Sequence, residues 1–203
     1  MSVLLPRLRV AIPGSEIAYH GNAREFFDVL PNSQGLTEEY LYAHQPTTDD
    51  TIPVYSTSDV PVGRLDNSVA TSANFNLVAA PVVVVARKGY AGRLYVVQAQ
   101  SLIVHEDAYA VKPKVEYSEA VNLWWFAGHY SDEFQANRTS PWGIGDFPRE
   151  RFLNMEIVVP RMALQETIAA LYIRRDELLG MLAALRERAS DSIDCMVREQ
   201  ITA

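Results

Sequence analysis

Apolar residues come in short runs through the middle of the chain and fall at helical spacing toward its end. IPVYSTS at 52–58 reads as a short strand running into a turn. FNLVAAPVVVVA at 75–86 is rich in valine and reads as one buried strand, because β-branched side chains suit a packed, pleated surface. Residues 87–92, RKGYAG, read as a tight turn, and RLYVVQ at 93–98 as the returning strand of a hairpin. Ser101–Val104 and Ala108–Lys114 read as further short strands, and 155–159 as the last. Tyr117, Val121, Trp124, Trp125 and Tyr130 keep helical spacing, which predicts one helix over 117–136 with Ser118 as its N-cap. Residues 1–51 carry a weaker signal. LPRLRVAIP alternates loosely like a strand, AREFFDVL fits a short amphipathic helix or a strand, and LTEEYLYAHQP fits a helical turn stopped by Pro46.

The clearest pattern follows Pro160. A helix predicted from about Leu164 to about Ser190 carries Leu164, Ile168, Leu171, Leu178, Leu182 and Leu185 at steps of four and three, with Arg175 as the one interruption. A seven-residue apolar repeat is a seam for a helix lying alongside. Two readings stand: the seam pairs with a helix of another chain, or it folds back on its own domain. The tail beyond Ser190 is expected to continue as a second short helix.

Composition narrows the class. At 203 residues and 48% hydrophobic, the chain can bury one sizeable core and carry an appendage. A single cysteine, Cys195, excludes a disulfide framework and a cysteine-based zinc site. Residues 1–12 lack the apolar core of a signal peptide. The longest apolar run, Leu77 to Ala86, is too short to span a bilayer, so a cytosolic, membrane-free setting is expected. The net charge of −7 disfavours a simple nucleic-acid binder. The charge is uneven, however: residues 1–80 hold 4 basic and 9 acidic side chains, 81–162 hold 9 of each, and 163–203 hold 5 and 7. Half of all Lys and Arg thus sit in the middle segment. Phosphate neutralisation supplies most non-specific DNA affinity, so this chain alone is expected to bind DNA weakly.

Catalytic signatures are missing. No Asn-Pro-Pro-[Tyr/Phe] tetrapeptide is present to hold a flipped adenine, and no G-x-S-x-G elbow is present. Gly143 and Gly145 lack the third glycine of a dinucleotide loop. Lys88, Lys112 and Lys114 have no acidic residue two positions earlier, so no Glu-x-Lys nuclease pair exists. His20, His44, His105 and His129 are scattered without metal-ligand spacing. The chain is expected to be no enzyme and to bind no metal or cofactor itself. An enzyme with an unfamiliar pocket is the remote alternative.

Recognition is what the residues leave open. Arg87, Lys88, Tyr90 and Arg93 crowd a glycine-bearing hairpin tip, where long cations can reach phosphates or guanine edges; the plainer reading is a solvated tip. Asn137, Arg138, Thr139, Ser140 and Trp142 form a polar loop whose amide and guanidinium could read adenine and guanine; the plainer reading is a helix cap and a turn. Tyr55, Ser56, Thr57 and Ser58 could offer hydroxyls to phosphates, or simply close a turn. His105, Glu106 and Asp107 could accept from cytosine, but a polar turn fits as well. Trp124, Trp125, Phe126 and Tyr130 read as core.

Four motifs in order resemble the target recognition domain of type I restriction-modification specificity subunits. IPVYSTS is similar to the family's I-P-[VYF]-[YF]-[GS] strand, VVVVARKGYAGRLYVVQ to its R-x-G-x-x-G hairpin, and SLIVHEDAYAVKPK to the strand pair that follows. Phe147, Phe152, Met155, Ile157, Pro160, Gln165, Ile168 and Ala169 match the strand that leads through a P-P-L-x-E-Q-x-x-I-A turn into a long helix. The chain departs at Arg161, where the family has a second proline, and at Leu164, where it usually has glutamate. The resemblance runs from Ile52 to Ala169, well over half the chain. It implies an α/β fold: a compact recognition domain, residues 1–160, with a twisted, partly barrel-like β-sheet and few helices. One long coiled-coil-type helix and a short tail, 161–203, would follow. It also implies that the loop at 137–140 lies toward double-stranded DNA. The partners it implies are a DNA adenine methyltransferase subunit that uses AdoMet and, in some systems, a restriction/translocase subunit. Full specificity subunits carry two recognition domains and two helices. A chain with one of each is therefore expected to homodimerise through its helix and read a split palindrome. The alternative is an S-like decoy that binds the methyltransferase without reading DNA.

Overall fold

The structure is a computed structural model that describes residues 11–98, 101–139 and 145–202, with side chains to 189 except those at 183 and 187. Of the LPRLRVAIP strand expected near the N-terminus, residues 5–10 lie outside the described residues and 11–13 are in no strand; Ser140 and Trp142 also lie outside. In chain order the elements are β1 (Ile17–Asn22), α1 (Ala23–Phe26), β2 (Phe27–Leu30), α2 (Glu38–Ala43), β3 (Thr51–Tyr55), β4 (Gly63–Asp66) and α3 (Asn67–Ser72). Next come β5 (Leu77–Ala79), β6 (Val82–Ala86), β7 (Lys88–Gly89), β8 (Leu94–Val97), β9 (Ser101–Val104) and β10 (Ala108–Pro113). The chain closes with α4 (Leu123–Ala136), β11 (Gly145–Asp146), α5 (Arg149–Leu153), β12 (Glu156–Pro160) and α6 (Met162–Thr202).

Two four-stranded sheets dominate, one in the order β2-β10-β6-β8 and one in the order β4-β3-β9-β5. The first is antiparallel throughout; in the second, β3 and β9 run parallel. Two-stranded pairs β1-β12 and β7-β11 complete the set. The expected partly barrel-like sheet is instead several separate sheets, and none closes into a barrel among the described residues. Strands β6 and β10 show the arrangement, because both of their faces are buried. Val83, Val85, Tyr109 and Val111 face a core shared with α4, whereas Val82, Val84, Ala108 and Ala110 face a second core built with Val78, Leu102 and Val104 of the other sheet. That other sheet turns Ile52, Val54, Leu65 and Ile103 to a third core under α2 and α3. The two sheets pack face to face across the second core, and that stacking takes the place of edge-to-edge closure. The layers run helix, sheet, sheet, helix.

Three local expectations are corrected. The apolar run 75–86 is two strands in different sheets, because it is interrupted at Pro81, where the Ala80–Pro81 peptide is cis. Proline lacks the N–H that a continuous central strand would need. The helix expected from residue 117 begins at Leu123; Ser118 only donates to the Val115 carbonyl at 2.8 Å. Asn122 is the true cap, its side-chain oxygen accepting from the N–H groups of Trp124 and Trp125 at 2.9 and 3.1 Å. The final helix does not stop near residue 190 but runs unbroken to Thr202.

Helix α4 supplies the aromatic spine of the largest core. Trp125, Phe126, Tyr130 and Phe134 are buried, and Phe126 lies 4.3 Å, centroid to centroid, from Phe27. Phe134 stacks on Phe147 at 5.3 Å. Helix α6 docks beside α4 at Gly128, where a Cβ would fall 2.3 Å from the Tyr172 ring, so only glycine lets the two helices approach this closely. The start of α6 is fixed by Gln165, fully buried. Its Oε1 accepts from the Asn122 N–H at 2.7 Å, and its Nε2 donates to the Ala120 and Pro160 carbonyls at 2.7 Å each. One amide thus ties the entry of α4 to the end of β12.

Candidate nucleic-acid interface

Pairing of β7 with β11 decides where the polar loops meet. Gly89 opposes Gly145, and Lys88 opposes Asp146. Thr139 donates through both its N–H and its hydroxyl to the Asp146 carbonyl, at 3.0 and 2.9 Å. The hairpin tip at 87–93 and the loop at 137–139, expected separately to face DNA, therefore form one continuous end of the domain. The β9–β10 turn joins them: the N–H groups of Arg87 and Lys88 both donate to the Asp107 carbonyl, at 2.8 and 3.2 Å. His105, in the same turn, is buried and accepts through Nδ1 from the Asp107 N–H at 3.2 Å.

The tip is held rigidly. Gly92 has a φ of +84°, and a Cβ there would lie 2.5 Å from the Phe134 carbonyl at the end of α4. Both the left-handed backbone and the contact require glycine. The Leu94 N–H donates to the Ser131 hydroxyl at 3.1 Å, fastening β8 to the same helix. Tyr90 is exposed, and the Arg93 guanidinium lies 6.0 Å from its ring centroid.

Each of the three hairpin cations faces a carboxylate from a different segment. Lys88 Nζ is 3.0 Å from Asp107, Arg93 is 3.4 Å from Asp59, and Arg87 is 3.7 Å from Asp146. All six side chains are partly exposed, although the facing atoms Arg87 Nε, Asp107 Oδ1 and Asp146 Oδ1 are themselves covered; Arg93–Asp59 is the most open of the three pairs and falls in the regime in which ion pairs are weak and exchangeable.

The remaining expected contacts divide. Arg138 is exposed and its aliphatic stem packs against Gly145. Asn137 is exposed and serves as the C-terminal cap of α4, its side chain donating to the Glu133 carbonyl at 2.9 Å; its own carbonyl accepts from Arg151. Tyr55 is half-buried and packs against Tyr95, 6.2 Å away. Ser56 is buried, and its carbonyl accepts from the Tyr95 hydroxyl at 2.7 Å. Burial raises the Tyr95 phenol well above its ordinary value, so it is a neutral donor there. Along α6, Ile168 is buried in the protein's own core and Leu164 packs against it. Leu171 is half exposed, and Leu178, Leu182 and Leu185 are 46%, 60% and 60% exposed.

One group escaped the sequence reading. Arg149 donates to Asn32 Oδ1 at 2.7 Å, and its guanidinium lies 6.0 Å from the Tyr109 ring centroid. Asn32 is nearly buried and donates to the Glu106 and Ala108 carbonyls at 3.2 and 3.1 Å, while the exposed Gln34 donates back to its oxygen at 3.1 Å. Arg149 is thus oriented by a neutral amide beside the same β9–β10 turn. No local signal announces it, since Asn32 and Arg149 are 117 positions apart. Among the described residues no group of three His, Cys, Asp or Glu is placed to hold a metal ion, and no helix is long and apolar enough to cross a membrane.

No protein-family model and no curated protein matches the chain. Solved structures do match. The type I restriction-modification system S subunit from M. genitalium is similar over 87% of this chain, with a TM-score of 0.58 and 17% identity. A chain from a study of complex assembly and conformational transition in the type I R-M system is similar over 92%, with a TM-score of 0.60 and 13% identity. The HsdS subunit from Thermoanaerobacter tengcongensis is similar over 90%, with a TM-score of 0.53 and 13% identity. The fold is therefore that of S subunits, which the motifs had implied. The chain covers 42–44% of the length of each of these three chains.

Proposed function

We propose that this chain is a half-size specificity subunit of a type I restriction-modification system, recognising double-stranded DNA and performing no chemistry itself. The observation that carries the reading is the S-subunit fold over about nine-tenths of the chain, matched to less than half of each solved subunit. In this reading residues 1–160 read DNA through the end of the domain that holds Arg87, Lys88, Tyr90, Arg93, Asn137, Arg138 and Thr139. Residues 161–203 are the spacer. A DNA adenine methyltransferase subunit supplies AdoMet chemistry, and a restriction/translocase subunit joins where the system has one. The exposed leucines of α6 support pairing with a second copy, and a two-fold dimer reads a split palindrome.

The test is sequencing of genomic DNA for N6-methyladenine with and without the gene. Loss of a split palindromic motif on deletion is the expected result; loss of an asymmetric motif would require a second recognition domain from another chain. Solution mass checks the dimer, and a strict monomer at high concentration would remove the symmetric version. The carboxylate held against each hairpin cation favours a second reading, an S-like decoy that docks the methyltransferase without reading DNA. Unchanged methylation on deletion while the methyltransferase is expressed would put that reading first.

A further inference from the structure

We infer that Asp59, Asp107 and Asp146 screen the hairpin tip from phosphate, so that the chain discriminates against non-specific DNA by competing with it internally. This rests on the reading of that end as a DNA interface. The three acids come from three segments, the β3–β4 loop, the β9–β10 turn and β11, yet each is set against one tip cation. No tip cation is left over, whereas Arg149 on the neighbouring helix is held by a neutral amide. Arg24, Arg174 and Arg175 also face carboxylates elsewhere, two of them from neighbours on the same helix; the tip differs in that all of its cations are matched, each by an acid from a different segment.

The physics of the screen is direct. A DNA phosphate and an aspartate carry like charge and bind the same cation, and the aspartate is tethered, so its effective concentration at the cation is high. A phosphate backbone alone must displace all three carboxylates to gain three contacts. Its counterion-release gain, about 0.9 in the log K–log salt slope per neutralised phosphate, is then withheld. A target that also makes base contacts has a further source of binding energy to drive the exchange. The pairs suit this role because their side chains are partly exposed, so a phosphate can reach them, while the facing atoms of Arg87, Asp107 and Asp146 are covered as long as the pairs stay closed; a fully buried pair could not open, and a solvated lone cation would bind any duplex.

The experiment uses the full chain and a short mixed-sequence duplex, with binding followed by fluorescence anisotropy across a salt series. The triple variant D59N/D107N/D146N keeps side-chain size and the Asp107 and Asp146 carbonyl bonds. It is expected to bind the duplex about tenfold or more tightly at low salt and to steepen the salt slope by about 0.9 for each cation released. A second triple variant, E38Q/E39Q/D49N, removes the same charge at exposed positions away from the tip and is expected to leave both quantities close to those of the unmodified chain. Equal gains from the two triples would overturn the screen in favour of bulk charge, and no gain from the first would overturn it outright. Genomic methylation separates the two levels of the argument. A motif that depends on the gene, together with no gain from the tip variant, sinks the screen and leaves the specificity reading standing. A gain without any such motif leaves a screened phosphate-binding tip and removes the specificity reading.

Discussion

The root of α6 and the hairpin tip are both polar junctions, and they are built in opposite ways. At the root a single neutral amide, Gln165, is fully buried and makes three bonds to backbone groups. At the tip six charged side chains meet in partly exposed pairs at 3.0–3.7 Å. A buried neutral group with its partners in place fixes geometry, because leaving any partner unpaired is costly. Exposed charges cost little to separate, because water and salt replace either partner. The root is built to stay, and the tip is built to exchange.

Substitutions at each junction test this difference. The largest effect is expected for Gln165→Leu, which leaves an N–H and two carbonyls without their partner; a loss of at least about 3 kcal/mol follows from three groups at about 1–3 kcal/mol each. Urea unfolding measures it, and a loss under about 1 kcal/mol would erase the distinction. Ile168→Ala, beside it in the core, is expected to cost about 2–4 kcal/mol as a cavity, read from the same unfolding curves. Asp66 lies between the extremes, a charged group with neutral partners. Hydrogen bonds from the Thr47 backbone, then from the Thr47 and Thr48 hydroxyls, lower its carboxyl from 3.8 to about 2. Its contribution is therefore complete above about pH 4 and lost as pH falls toward 2. Acid unfolding is expected to show a steeper loss across that window in the unmodified chain than in Asp66→Asn. The smallest change is expected at the tip, where Asp59→Asn and Asp146→Asn singly shift stability by no more than about 0.5 kcal/mol in thermal melts.

The root was legible in the sequence and the electrostatics of the tip were not. Pro160, Gln165, Ile168 and Ala169 lie within ten residues of one another, and their match to the family motif carried the strand-to-helix junction but not the burial of Gln165 or of Ile168. The alternating faces of β6 and β10 showed only as valine and alanine runs, because burial on both sides removes the polar half of the period. The heptad gave the apolar face of α6 but not what occupies it, since periodicity is blind to whether Ile168 meets its own domain or a partner. Charge counts placed 9 basic residues in the middle segment. They could not show that Asp59, Asp107 and Asp146 would be folded onto three of them. Arg149 was invisible for the same reason: its orientation comes from Asn32, brought near only by the tertiary fold. Asn122 outcompeted Ser118 as cap because its side chain reaches two helical N–H groups, a matter of geometry and not of residue type alone.

The seat of Gly92 on the end of α4 has a thermodynamic consequence. Ordering a free loop costs about 1–2 kcal/mol per residue in backbone entropy. At this tip that cost is met when the domain folds, so little of it is left to oppose association. The same rigidity removes the tip's ability to mould itself to a ligand. Under the proposed function, a duplex docking there would have to supply the deformation, and the stiffness of the DNA itself would become one of the quantities being measured.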